Sequence, residues 1–149
     1  MSKQIDVSLI VPPARASSLR PPLGLMYIAS CLKEENINPS IIDIKSKKDK
    51  TVVLSEIIDQ VKKENPQMVG ISCMSSDYSD TIKLARKIKN IPKKTIVIVG
   101  GIHATLYPDH FLNNEKLVDF VIMGEGENSC RSSAQGNEIR RMSTNRFWS

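Results

Sequence analysis

Thr95-Ile96-Val97-Ile98-Val99-Gly100-Gly101-Ile102-His103-Ala104-Thr105 is the stretch on which the reading of this chain turns. A nearly continuous apolar run, Thr95 to Val99, ends on two glycines. Continuous rather than alternating apolar character marks a strand buried on both faces, as in a parallel sheet. Glycines placed directly after such a strand carry no Cβ and tolerate positive φ, so a ligand can approach bare backbone there. For the pair taken alone, a tight turn is the plain alternative.

Outward from this stretch, similar runs stand at Val7 to Val11, Ser40 to Ile44, Met68 to Ser72 and Val118 to Met123. The segments between them repeat apolar residues with helical period. Leu25, Ile28, Ala29 and Leu32 form one stripe, Leu54, Ile57, Ile58 and Val61 a second, and Leu84, Ala85, Ile88 and Ile91 a third. Pro21 and Pro22 precede the first helix, while Pro66 and Pro92 follow the second and third. The pattern β-α-β-α-β-α-β-α-β predicts a single α/β domain, flavodoxin-like or Rossmann-like, with a doubly wound five-stranded parallel sheet. Strand order 2-1-3-4-5 is expected, with the ligand site beyond the carboxyl ends of strands 1 and 3, where the order reverses.

Composition excludes several classes. The 149 residues are 40% apolar and 25% charged, ordinary globular usage for one core. No run of about 18 uncharged apolar residues occurs, and Met1 to Val11 lacks the layout of a signal peptide, so a cytoplasmic protein with no membrane partner is expected. Cys31, Cys73 and Cys130 are odd in number and far apart, which suits reduced thiols. The net charge is +5, but residues 130–149 hold Arg131, Arg140, Arg141 and Arg146 against Glu138, so three of those charges fall on that stretch. The remainder is too nearly balanced for a nucleic-acid surface.

Each strand leads into a turn suited to a ligand edge: Pro12-Pro13, Ser72-Cys73-Met74-Ser75-Ser76, Gly100-Gly101-Ile102-His103-Ala104-Thr105 and Gly124-Glu125-Gly126-Glu127. Together with Pro21-Pro22-Leu23-Gly24-Leu25 and Val69-Gly70-Ile71-Ser72, these residues resemble the cobalamin-binding domain that precedes the catalytic barrel in cobalamin-dependent radical S-adenosylmethionine enzymes. The resemblance covers most of residues 5 to 128. It implies a cobalamin cofactor held by Gly24, Ser72, Met74, Ser75, Gly100, Gly101, His103, Gly124, Glu125 and Gly126, its nucleotide tail between strands 1 and 3 and its corrin across the carboxyl edge. The wider family carries Asp-x-His-x-x-Gly, then Ser-x-Leu, then Gly-Gly. Here Gly24 matches the first glycine, Ser72-Cys73-Met74 the second motif and Gly100-Gly101 the pair, but Leu19 replaces the Asp and Pro21 the cobalt-ligating His. No metal ligand in the chain is therefore expected. By the same resemblance a side chain larger than hydrogen at Gly101 is expected to abolish binding while the fold survives.

The partner implied is a radical S-adenosylmethionine barrel, whose cluster requires Cys-x-x-x-Cys-x-x-Cys. That spacing is absent, so the chain reads as a module lacking the catalytic half of a methyltransferase or cyclase, not a complete enzyme. Residues 1–128 are assigned to the cobalamin domain and 129–149 to a polar tail, taken as disordered or as a non-native, unrelated or frame-shifted ending after truncation. A stand-alone flavodoxin-like ligand-binding or signalling domain is the other reading. A receiver domain would want acidic residues where Val11-Pro12-Pro13 stand, and a dinucleotide site would want Gly-x-Gly-x-x-Gly after the first strand.

Single residues carry less. His103 reads either as a corrin contact or as a polar cap of the following loop, and His110, in an expected short surface helix, receives no role. Glu125 and Glu127 have no fixed mutual direction, Cys73 reads as a small apolar residue, and Asp77 and Asp80 read as starting the third helix. Because three scattered cysteines cannot supply a cluster's ligands, anaerobic reconstitution with iron and sulfide is expected to leave the chain without cluster absorbance; stoichiometric iron with that absorbance would contradict the assignment.

Overall fold

A computed structural model describes residues 4–13, 20–45, 49–113, 116–124 and 147–148. The chain runs β1 (Val7–Ile10), α1 (Leu23–Glu34), β2 (Pro39–Ile42), α2 (Lys50–Glu64), β3 (Met68–Ser72), a 3-10 turn (Ser75–Asp77), α3 (Tyr78–Lys89), β4 (Ile96–Gly100), α4 (Ile102–Leu106), α5 (Asp109–Leu112), β5 (Phe120–Ile122) and β6 (Phe147–Trp148). Local chemistry sets the helix ends. Pro22 stands immediately before α1, and the Asp49 carboxylate opens α2 by accepting the Thr51 N–H at 2.8 Å. Asn65 closes α2 in the left-handed conformation, and Pro66 then blocks its continuation.

All sheet pairings are parallel and the order is β2-β1-β3-β4-β5-β6, so the expected 2-1-3-4-5 arrangement is present. The sixth strand is additional. It is two residues long and pairs with β5 at Val121 and Ile122. A pair of aromatics inside a Ser-, Arg- and Asn-rich stretch has no apolar period to mark it; the open edge of β5 supplies its hydrogen-bond partners. The rest of the tail expected from residue 129 lies outside the described residues.

Both faces of β1 are covered, which is why its four residues are all buried. Val7 and Leu9 pack on Leu25, Ala29 and Leu32 of α1. Ile10 joins Val69, Ile71, Val97, Val99 and Val121 in a larger core closed by α2 and α3 through residues such as Ile57, Val61, Leu84 and Ile88. Each fully buried aliphatic side chain contributes roughly 1.5–3 kcal/mol relative to exposure. No described helix is long and apolar enough to cross a membrane.

Polar ties fix the amino-terminal part of the sheet. Ser8 and Ser40 are register partners in β1 and β2, and both hydroxyls donate to the Glu64 carboxylate at 2.5 Å, while Gln60 Nε2 holds its other oxygen at 2.8 Å. At the opposite side of the sheet, Asp119 accepts the Val97 N–H at 2.7 Å and pairs with Lys89, whose ammonium also reaches the Thr95 carbonyl at 2.9 Å. Removing Glu64 would take the carboxylate acceptor from the fully buried Ser8 hydroxyl and leave it only the longer 3.3 Å contact with the Ser40 hydroxyl. Glu64→Ala is therefore expected to cost about 1–3 kcal/mol, read from urea unfolding, with a smaller loss in the Ser8→Ala background; equal losses in both backgrounds would deny the coupling.

Candidate functional site

Three turns meet at the carboxyl edge of the sheet, joined by main-chain hydrogen bonds and by the Thr105 hydroxyl. Leaving β3, Cys73 donates its N–H to the Gly100 carbonyl at 2.8 Å and accepts the His103 N–H at 3.1 Å. Thr105, one turn into α4, donates its hydroxyl to the Gly101 carbonyl at 3.0 Å and accepts the Gly124 N–H, also at 3.0 Å. The turns after β3, β4 and β5 are therefore joined by hydrogen bonds into one surface. The Cys73–Gly101 crossing has room for nothing larger than hydrogen. Gly101 adopts φ 99° and ψ −174°, and a Cβ there would lie 2.8 Å from the Cys73 carbonyl oxygen and 3.0 Å from its nitrogen.

This corrects the expectation that a larger residue at Gly101 would spare the fold and obstruct only the ligand: the protein's own backbone occupies the space. Other glycines differ. A Cβ on Gly100 would meet Ile122 at 3.7 Å, an ordinary contact, and one on Gly24, in the first turn of α1, would meet nothing within 4 Å. Gly124 has φ 75° with open space around it. Met74, in the turn after β3, and Ile102 and Leu106, in the helix that follows the glycine pair, are each more than half exposed.

The structure brings Ser75 and His103 together from two of these turns. His103 is buried, with Nδ1 3.1 Å from Ser75 Oγ and Nε2 3.1 Å from His110 Nδ1. Tyr78, Tyr107 and Phe111 surround its ring at centroid distances of 5.0, 5.2 and 5.7 Å. Burial pushes the His103 imidazole below its usual range, and the adjacent His110 adds to the lowering. His110 does sit on the expected short helix, α5, yet its ring stacks on Tyr107 within 13° and its carbonyl accepts the Tyr78 hydroxyl at 3.2 Å. Nothing in the sequence marked it, because seven residues and a turn separate the two histidines and only the packing of α4 against α5 joins their rings.

Of the other expected site residues, Ser72 ends β3, Met74 and Ser75 are exposed just beyond it, and Glu125 and Gly126 lie outside the described residues, as does Leu19. Pro21 is exposed before α1. Cys73 is fully buried, and desolvation pushes its thiol up, opposed by the Thr81 hydroxyl beside it and helped by the Asp77 charge. Asp77 directly precedes α3 without capping it and takes the Ser76 hydroxyl at 3.1 Å, whereas Asp80 takes the Lys50 ammonium at 2.5 Å. Among the described residues no three His, Cys, Asp or Glu side chains gather as a metal site.

Residues 14–133 match the family model described as the B12 binding domain. An uncharacterised methyltransferase of Pyrococcus horikoshii is 34% identical over 131 residues, covering 84% of this chain and 28% of that protein. The anaerobic magnesium-protoporphyrin IX monomethyl ester cyclase of Synechocystis is 28% identical over 109 residues, covering 72% and 21% respectively. The fold matches that of the radical S-adenosylmethionine methyltransferase TsrM of Kitasatospora setae, solved with cobalamin and a [4Fe-4S] cluster, at a TM-score of 0.70 and 17% identity over 91% of this chain and 25% of that one. The chain thus spans about a quarter of the length of these relatives.

The glycine geometry yields a direct comparison. Gly101→Ala is expected to cost roughly 1–3 kcal/mol in backbone strain alone, with the Cys73 collision added, whereas Gly100→Ala should leave the urea midpoint nearly unchanged. Equal midpoints for the two variants would contradict the crossing described above.

Proposed function

The chain belongs to the B12 binding domain family, and from that premise we propose that it binds cobalamin across the carboxyl edge of its sheet, as the cofactor module of a radical S-adenosylmethionine enzyme of the methyltransferase or cyclase type. The observation that carries this reading is the edge itself: main chain at Gly100 without a Cβ, in turns joined by hydrogen bonds that also carry the exposed apolar side chains of Met74, Ile102 and Leu106. A broad, mostly apolar macrocycle rimmed with amides suits such a surface, since it covers the apolar side chains while the turns offer hydroxyls and main-chain groups to its rim. Open space around Gly24 and Gly124 leaves both backbones approachable. Residues 72, 74, 75, 100 and 124 would line the cofactor, with Gly24 at the start of α1 and Glu125 and Gly126 following in the chain.

When bound, cobalamin would supply a transferable methyl group or assist radical chemistry. The chain's own part is to hold and orient it; the reaction, its substrate and the iron–sulfur cluster would belong to a barrel partner, as the quarter-length coverage of the relatives suggests. Neither histidine is offered to cobalt in this reading. Residues 4–22 contain none, and both ring nitrogens of His103 are engaged by Ser75 and His110.

Two measurements test this. The purified chain is expected to retain cobalamin through gel filtration, and folded protein that retains none would refute the function. In the cobalt(II) state, replacing all histidine nitrogen by nitrogen-15 should leave the electron paramagnetic resonance spectrum unchanged. A changed splitting would show a protein imidazole on cobalt.

A further inference from the structure

The turn after β3 carries three serines, and one of them is braced from a different turn. Ser72 closes the strand, half-buried, and Ser76 gives its hydroxyl to the neighbouring Asp77 carboxylate at 3.1 Å. Ser75 is exposed at the start of the 3-10 turn, yet its Oγ lies 3.1 Å from Nδ1 of the buried His103. An exposed serine without such a partner spreads over three staggered rotamers. Here a buried imidazole beyond the glycine pair selects one.

That imidazole is itself fixed. The His103 N–H donates to the Cys73 carbonyl at 3.1 Å, which ties the residue to the same turn that carries Ser75. Its Nε2 lies 3.1 Å from His110 Nδ1, and the rings of Tyr78, Tyr107 and Phe111 enclose it at 5.0, 5.2 and 5.7 Å. A serine hydroxyl has one proton and two lone pairs, and the contact with Nδ1 uses one of the three. Whichever nitrogen of His103 carries the hydrogen, Ser75 Oγ therefore keeps at least one lone pair. An acceptor present in either arrangement suits a donor, and the donors at the rim of cobalamin are amide N–H groups.

We propose that Ser75 accepts a hydrogen bond from a rim amide of bound cobalamin, and that His103 is a positioning residue for this contact, holding the Ser75 side chain in the rotamer that faces Nδ1. His103 thus acts on the cofactor without touching it, in keeping with a ring buried beneath the edge rather than exposed on it. The inference rests on the cobalamin reading, but its first test needs no cobalamin.

Three-bond couplings at the Ser75 β-carbon in the ligand-free protein should report a single staggered rotamer despite the exposure of the residue. The side-chain amide of asparagine ends where Nδ1 of a histidine lies, and that of glutamine where Nε2 lies. His103→Asn should therefore keep the single rotamer, while His103→Gln, which retains a group facing His110, should let Ser75 average over its wells. Averaged couplings in the wild type, or a single rotamer in His103→Gln, overturn the brace. The wild-type couplings decide even where a His103 variant does not fold.

The second test is the affinity for cyanocobalamin. Ser75→Ala should weaken binding roughly three- to tenfold, what one hydrogen bond contributes net. His103→Gln should weaken it about threefold, the factor for losing selection of one well among three, and should add nothing in the Ser75→Ala background. His103→Asn should recover the wild-type affinity. Unchanged affinity in Ser75→Ala, or a His103→Gln loss that persists without the serine hydroxyl, overturns the role at the cofactor site, since a residue that only supports the fold would act regardless of Ser75. A folded wild type that binds no cobalamin would fail the cobalamin reading instead, with the couplings still judging the brace.

Discussion

The turn after β4 crosses the end of β3 at a separation that only a hydrogen atom at Gly101 permits, and the rest of the ligand edge hangs from that crossing. Because Gly101 passes so close, Cys73 can exchange main-chain hydrogen bonds with Gly100 and His103 on either side of it. Those bonds set where α4 begins. The start of α4 in turn fixes His103 beneath Ser75 and places the Thr105 hydroxyl to hold Gly124 after β5. A change in the one crossing would reach three turns at once, so the edge behaves as a unit rather than as independent loops.

The two ends of the sheet are built differently. At the amino-terminal end and along the outer strands, charged groups do the fixing: Glu64 gathers Ser8, Ser40 and Gln60, and Lys89 with Asp119 ties α3 to the starts of β4 and β5. Buried hydroxyls in apolar strands would otherwise be destabilising, and each finds its acceptor. At the carboxyl end the ties are uncharged, main chain to main chain at Cys73 and through the Thr105 hydroxyl to Gly101 and Gly124. Apolar side chains such as Met74 and Ile102 are left exposed there, while Tyr78 and Phe111 pack around the buried His103 ring. Placing the polar anchors at one end frees the other for a ligand.

Glycine at this edge answers two demands that sequence alone cannot separate. At Gly101 the demand comes from the protein, through φ 99° and the Cys73 backbone; at Gly100 and Gly24 the protein itself would accept a Cβ. A requirement for glycine at those two positions would therefore come from what binds there.

Much of the fold was legible because its signals are local. Continuous apolar runs in β1, β3 and β4, the three helical stripes, and the prolines beside α1 and α2 each state a burial or a boundary within a few residues, and with right-handed crossovers they imply a parallel sheet, whose expected order 2-1-3-4-5 the strand pairings bear out. The glycine turns were legible for the same reason, and so was the family they resemble. What the sequence could not determine is which distant groups come to share a volume. That His110 completes a chain through His103 to Ser75, that Glu64 serves two strands, that Phe147–Trp148 extends the sheet and that Gly101 is claimed by Cys73 all depend on separations collapsed by packing. Periodicity reports the face a residue buries; only the tertiary structure decides what it meets there.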